Sequence, residues 1–469
     1  MATIYQKVGM TKEHFIMNAV LLFGGLIAIL NQTLLAPALP SIMKEMQIDA
    51  STAQWLTTGF MLVNGIMIPV TAFLLERFTT RKLFFISMGM FTLGTFVAGI
   101  ATTFPVILLA RVLQAAGAGV MMPMGQTIML LTLPKKYRGV GMGLIGLVMG
   151  FAPAVGPVVA GFIIDAFNWH MLFYGMTPLA VLTIVVAYFY LENLGETSNP
   201  KLDIPSVILS TLGFGGLLYG FSAIGSTGFG LTVILTLLVG AVSLVAFFHR
   251  QLHMEEPLLN VRVLENKKFM ISVVLTMLVN AALIVGGILN PIYIQTIRGY
   301  SASVSALIML PASIVMAIMS PISGRLFDKF GPRVLAIPGL IAVTLFTLPM
   351  VVMDENTSIY FLSFVYTIRV IGLALVNMPL NTWGLNALSN KVIAHGTAIS
   401  NTFRTVAGSL GTAVLITVNS IVVATASNPA STTAQIHGIN MAYLGAAFFM
   451  LAALILTVIF VKDDGKRKA

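Results

Sequence analysis

Three positive charges lie inside long apolar stretches of this chain: Arg111, Arg369 and Arg404. A charge at membrane depth costs at least roughly 2.5–3.5 kcal/mol, so each must face a protein interior or a water-filled cavity. There it either takes part in coupling the movement of a solute to that of a proton, or bonds neighbouring carbonyls and joins helices. A proton relay would need Asp, Glu or His, yet none of the sixteen acids falls at the centre of an apolar stretch. Asp165, near the end of one, is the first-ranked proton carrier; its plainer reading is a helix-end carboxylate in water. Polar groups that could line a substrate cavity are Asn31, Gln32, Gln54, Trp55, Asn64, Gln126, Asn377, Asn381 and Trp383, although amides in membrane helices often only join helices. A permanent cation in such a cavity would want a buried counter-charge. Neutral or weakly charged amphiphiles need mainly apolar contacts and a few hydrogen bonds, and the missing central acid favours them.

Two loops, 252 residues apart, read as copies: Ala72-Phe-Leu-Leu-Glu76-Arg77-Phe-Thr79-Thr-Arg81 and Gly324-Arg-Leu-Phe-Asp328-Lys329-Phe-Gly331-Pro-Arg333. Each joins two apolar segments, which implies a duplicated membrane unit of the kind from which many secondary transporters are built. Their charges can pair across the loop or face a helix terminus, and exchanging one arrangement for another makes a two-state switch. A solvated loop is the competing reading.

The elements that must position these residues follow from composition. The 469-residue chain is 57% hydrophobic and 9% charged, against roughly 25% charged in a soluble domain. Segments of about 20 apolar residues, enough to cross a bilayer core, fall at 15–37, 52–75, 82–103, 105–132, 138–165 and 169–190, then 204–225 and 229–249. Six more follow at 269–291, 303–323, 333–353, 358–385, 396–424 and 440–461. The expected fold is therefore an all-α integral membrane protein of fourteen helices. It divides into a first six-helix bundle (1–192), two inserted helices and a loop (193–268), and a second six-helix bundle (269–469). The stretch from Phe15 to Ala36 is too long for a signal-peptide core and is expected to stay as the first helix.

Basic residues sort by side. With the N-terminus inside, 21 of the 26 Lys and Arg fall on the cytoplasmic side, and only Lys44 and Arg298 fall outside. Both termini are then cytoplasmic. The net charge of +10 is spread over many short loops, so a nucleic-acid partner is not expected. With no cysteine, no disulfide or thiolate metal site can form. His249 and His253 sit four apart near Glu255 and Glu256 but lack further ligands, so they read as interfacial loop residues and no metal is expected. The absence of a G-x-x-x-x-G-K-[ST] loop argues against nucleotide hydrolysis.

The fifth helix carries Gly143, Ala152, Pro153, Gly156, Pro157, Ala160 and Gly161. Small residues let backbones approach, and prolines remove ladder bonds, so this helix can bend and pack tightly. Arg111-Val-Leu-Gln114 runs on to Met122-Pro123, as Arg369-Val-Ile-Gly runs on to Met378-Pro379, which matches the equivalent helices of the two halves. The 28 methionines suit a deformable surface, or plain core filling.

Together these motifs resemble those of the fourteen-helix drug:proton antiporters of the major facilitator superfamily, over nearly the whole chain. The loop motif matches Ala72 to Arg81 and Gly324 to Arg333, the helix 4 motif Arg111 to Gly117, and the antiporter motif Gly143 to Gly161. Leu30 to Pro40 looks like the family's helix 1 signature, and Gln54 to Gly65 looks like the lincomycin-resistance branch. The resemblance implies a multidrug exporter of lipophilic compounds in the bacterial cytoplasmic membrane, monomeric and without cofactor, exchanging drug for protons by alternating access. It implicates Glu76, Arg77, Asp328 and Arg333 in holding the cytoplasmic ends together. The chain departs from the pattern at Ala72, Glu76 and Thr79, and at helix 1, where Asn31 stands for the usual aspartate. A lipid or amphiphile flippase without proton coupling is the alternative; a membrane scaffold or receptor would not need the duplicated loop.

Overall fold

The computed structural model describes residues 10–194, 198, 200–228 and 230–462, without side-chain placement at 154 and 225–227. Fourteen helices in it are long and apolar enough to cross a membrane. They are α1 (Lys12–Met46), α2 (Ala50–Arg77), α3 (Thr80–Gly99), α4 (Phe104–Thr132), α5 (Arg138–Ala166), α6 (His170–Tyr190) and α7 (Ile204–Thr227). The remainder are α8 (Leu231–His253), α9 (Lys267–Pro291), α10 (Ala302–Phe330), α11 (Pro332–Thr347), α12 (Ile359–Asn386), α13 (Ile393–Ala424) and α14 (Thr432–Phe460). The helix number and order match the sequence reading. Several helices run well past the apolar segments: α1 starts at Lys12 and continues through Pro37 and Pro40 to Met46, and α14 starts at Thr432. Backbone bonding continues outside the hydrocarbon, where polar side chains are free to face water. The histidine pair belongs to the last turns of α8, where His253 Nδ1 lies 2.7 Å from the carbonyl of His249. Lys7, Lys466, Arg467 and Lys468 lie outside the described residues.

Two apolar cores lie one in each half of the chain. One gathers residues of α1 to α6, from Met17 to Leu191, around Phe60, Phe84, Phe91 and Trp169. The other gathers residues of α9 to α14, from Leu275 to Val461, around Tyr293, Leu340, Trp383 and Tyr443. A third cluster joins the two at one end, from Ala72, Met129 and Met142 to Met378, Leu385 and Ile399. Lipid offers no hydrophobic force between helices, so close backbone approach carries the packing. A Cβ at Gly117 would strike the Ser87 carbonyl of α3, and Gly339 and Gly372 face one another between α11 and α12. In the inserted pair, Gly216 of α7 meets Gly240 of α8. The seam between the bundles is built chiefly by α5 against α10, with α2 and α4 against α13, while α7 lies against α2 and α13.

The short loops α2–α3, α4–α5, α10–α11 and α12–α13 share one end of the molecule with the described termini, as an even number of crossings requires. That end carries Arg77, Arg81, Lys82, Lys135, Lys136, Arg138, Lys329, Arg333 and Lys391, and is called the basic face below.

Candidate functional site

At the basic face each duplicated loop sends its acid across the seam. Asp328, at the last turn of α10, accepts from the backbone N–H groups of Gly139 (2.8 Å) and Val140 (2.9 Å) in the first turn of α5. These are N–H groups that a helix start leaves without an internal partner, and the carboxylate also meets the positive end of the helix dipole. Glu76, at the end of α2, instead meets a side chain: its Oε1 lies 2.7 Å from Nε2 of His395 in the first turn of α13. The other ring nitrogen, Nδ1, accepts from the backbone N–H of Asn260 at 3.1 Å. A nitrogen that accepts carries no proton, so the neutral ring holds its hydrogen on Nε2 and donates it to Glu76. One histidine thus ties the first bundle, the second bundle and the loop that follows the inserted helices.

Further bonds close the same face. Arg138 donates to Asn386 Oδ1 (3.2 Å) at the end of α12 and to Asn390 Oδ1 (3.0 Å). Between them the α5 and α10 backbones touch: a Cβ on Gly139 would collide with the Gly324 carbonyl, and one on Gly143 would sit 2.6 Å from the Ser320 carbonyl. Deeper in the seam, Asn401 of α13 donates to Gln126 Oε1 of α4 at 2.7 Å and receives a bond from Arg404 Nη2 at 2.7 Å. Among the described residues, the hydrogen bonds that join the bundles run from this depth to the basic face. None lies at the opposite face.

The two repeat-related arginines sit inside the bundles. Arg111 donates to Asn31 Oδ1 and Gln114 Oε1, each at 2.7 Å, and to the Leu56 carbonyl at 3.2 Å, with its guanidinium 4.2 Å from the centre of the Phe60 ring. Arg369 donates to Thr347 Oγ1 (2.9 Å) and to the Ala282 carbonyl (2.7 Å). Each therefore stitches neighbouring helices: α4 to α1 and α2, and α12 to α11 and α9.

The chain between residues 21 and 412 matches the model of the Major Facilitator Superfamily. This chain belongs to the major facilitator superfamily. It is 46% identical to the uncharacterized MFS-type transporter YcnB of Bacillus subtilis over 95% of its length and 94% of that protein's. It is 39% identical to the lincomycin resistance protein LmrB of the same organism, over 93% and 92%. Among solved structures, the human organic anion transporter MFSD10 superposes with a TM-score of 0.67 at 12% identity, covering 95% of this chain and 99% of that one. The superfamily's proteins are transporters, so this facilitator is a multi-pass membrane transporter and not an enzyme.

The other sequence-predicted residues of this facilitator fall into three groups. On the fifth helix, Gly143 meets α10 across the seam, whereas a Cβ on Gly156 would strike Thr33 of α1 within the first bundle. Pro157 is half-buried, and a Cβ on Gly161 would meet open space. Arg77 and Arg333 bond within their own surroundings, to the Pro200 carbonyl (3.2 Å) and the Val458 carbonyl (3.5 Å). Of the cavity candidates, Asn31 and Gln126 enter the networks above, and Asn381 accepts from Ser400 Oγ at 2.6 Å. Asn377 and Trp383 are buried, with Asn377 Oδ1 and Trp383 Nε1 unpaired, while Gln32 and Asn64 are half-buried. Gln54 and Trp55 are exposed near the opposite face, where Trp55 stacks on Tyr219 of α7 with ring centres 5.9 Å apart. Asp165 is exposed at that face as well.

Two titratable groups were missed from sequence. One is His395, whose only signal is a histidine in the first turn of a helix equivalent to α5. The other is His170, at the opposite face. Its Nε2 lies 3.0 Å from Glu45 Oε1 and its Nδ1 2.8 Å from the Gly99 carbonyl, while Trp169 Nε1 donates to Glu45 Oε2 at 2.7 Å. Both ring nitrogens thus face oxygen atoms.

Proposed function

We propose that this facilitator is a secondary exporter that moves lipophilic neutral or weakly charged compounds out of the cytoplasm by alternating access, in exchange for protons. The basic face is read as cytoplasmic, because positive loops are retained inside during insertion. The observation that carries the reading is the pair of crossed latches, Asp328 on α5 and Glu76 on His395, which lie together at one face. Among the described residues, latches gathered at one face are what one of two alternating states requires, and breaking a few such bonds is a change that bound solute or protons can drive. The naming of relatives for lincomycin resistance and multidrug export supports a drug-like substrate. Protons from outside would meet Asp165 or the Glu45–His170 pair first.

A second reading, an uncoupled flippase or facilitator for lipids and amphiphiles, is favoured by Asn31, an amide that cannot carry a proton, at the Arg111 guanidinium. One experiment separates the two. Inverted vesicles holding the protein are given a lincosamide or a lipophilic dye, with and without an imposed pH gradient. Gradient-dependent accumulation supports antiport, and equilibration that ignores the gradient supports the second reading. Asp165→Asn is expected to slow gradient-driven uptake, and a wild-type rate in that variant removes Asp165 from the coupling path.

A further inference from the structure

Arg404 differs from the other two intramembrane arginines in where it stands. Arg111 and Arg369 are fully buried inside their bundles, whereas Arg404 is only partly buried and lies on the seam. It is eleven residues into α13, about 16 Å from the helix start at 1.5 Å per residue, and so near the middle of the bilayer core. Its Nη2 is held by Asn401, which is held in turn by Gln126 of the first bundle. Its Nη1 is buried and without a partner, and so is the amide nitrogen of Gln126 at the other end of the chain of bonds. No carboxylate of the described protein forms an ion pair with Arg404. Gln126 itself lines a small crevice inside the first bundle, among Leu21 and Gly25 of α1, Met121 and Met122 of α4 and Val148 of α5.

A guanidinium at this depth with one nitrogen unpaired and no carboxylate partner has a charge-assisted donor to give to an anion. We propose that Arg404, tied through Asn401 to Gln126 of the first bundle, receives the oxyanion head of a lipophilic weak acid. This deepens the exporter reading, on which it rests, by naming the substrate class. The Nη2–Asn401 bond holds the guanidinium while Nη1 keeps a donor without a partner, and the Asn401–Gln126 bond ties that guanidinium to the other bundle. An acid bound there neutralises a charge that the protein itself leaves uncompensated. A neutral molecule of the same shape would gain only the apolar contacts.

The test is binding by purified protein in zwitterionic nanodiscs at pH 7, with anthracene carboxylate and its carboxamide as probes. The acid is expected to bind at least about tenfold more tightly than the amide, the low end for a hydrogen bond to a charged group. Arg404→Gln should abolish that preference and Arg404→Lys should keep part of it. Competition by anionic lipid added to the discs would mean that the same oxyanion site accepts a lipid phosphate. Equal binding of acid and amide by the wild-type protein, a comparison that needs no variant, overturns the proposal, as does a preference that survives in a folded Gln variant. Transport of the acid in wild-type vesicles is scored separately: its absence would count against the exporter reading without touching the binding preference.

Discussion

Gly143→Ala offers the most direct test of how the two bundles close. The added Cβ would lie 2.6 Å from the Ser320 carbonyl oxygen and 3.0 Å from Pro321 Cα, both backbone atoms of α10 that no rotamer change can move. Ordinary contact begins near 3.4 Å, so the two backbones must part by about 0.8 Å at that point. Overpacking of this kind costs about 1–3 kcal/mol, and the cost falls on the state in which α5 and α10 touch at the basic face. The ratio of closed to open molecules should then drop by about 5- to 150-fold. The natural chain has no cysteine, so a single Ser323→Cys reporter can be read without background. Ser323 is buried on the α10 face that carries Ser320 and Gly324. Its labelling by a membrane-impermeant maleimide applied at the basic face should accelerate in the Gly143→Ala background in proportion to the open population. Gly161→Ala is the control, because its Cβ meets nothing within 4 Å. Labelling of the Gly143→Ala protein at the reporter's basal rate, or equal acceleration by Gly161→Ala, would refute the close-approach argument.

Other perturbations follow from the same geometry. Asp328→Ala uncaps α5 at Gly139 and Val140, and at about 0.5–2 kcal/mol for a lost cap the same reporter should label about 2- to 30-fold faster; an unchanged rate would show that the latch contributes nothing to closure. Asn31→Asp places a carboxylate on a guanidinium that is already buried, so its desolvation cost is already met, and thermal stability should rise by about 1–3 kcal/mol; an unchanged or lower melting temperature contradicts this. Asp203 caps α7 through Ser206 and takes a bidentate bond from Arg250 (2.7 and 2.8 Å), and that guanidinium first, with Ser206, holds the carboxyl down at about 2 against an ordinary 3.8. Because the folded pKa is depressed, the stabilisation is present above about pH 4 and is lost as pH falls toward 2. The melting difference between wild type and Asp203→Asn should therefore stay constant from pH 7 to about 4 and shrink below it, and a difference that grows on acidification would reverse the assignment.

Much of the architecture was legible in the sequence because it rests on local chemistry. Fourteen apolar segments of bilayer length, the paired loops around Glu76 and Asp328, and the one-sided basic residues each follow from composition within a few tens of residues. The cost of intramembrane charge likewise singles out Arg111, Arg369 and Arg404 from sequence alone. Their partners were not legible. Asn31 lies 80 residues from Arg111, and Glu76 lies 319 from His395. Nothing along the chain says that Trp169 and His170 close on Glu45. The single Gly-Pro motif of the fifth helix likewise divides between jobs, with Gly143 against α10 in the other bundle, Gly156 against α1 in its own, and Gly161 against nothing.

What the sequence determined by itself is thus the set of helices, their duplication and the residues too polar to be left in lipid, since hydrogen bonding within a helix and transfer from water depend on each segment alone. What only the tertiary structure decided is which helix each face meets, and therefore which acid latches which helix end and which arginine stands on the seam. Side-chain pairing is fixed by how helices cross and how closely their small residues let them approach, and those are properties of the packed pair.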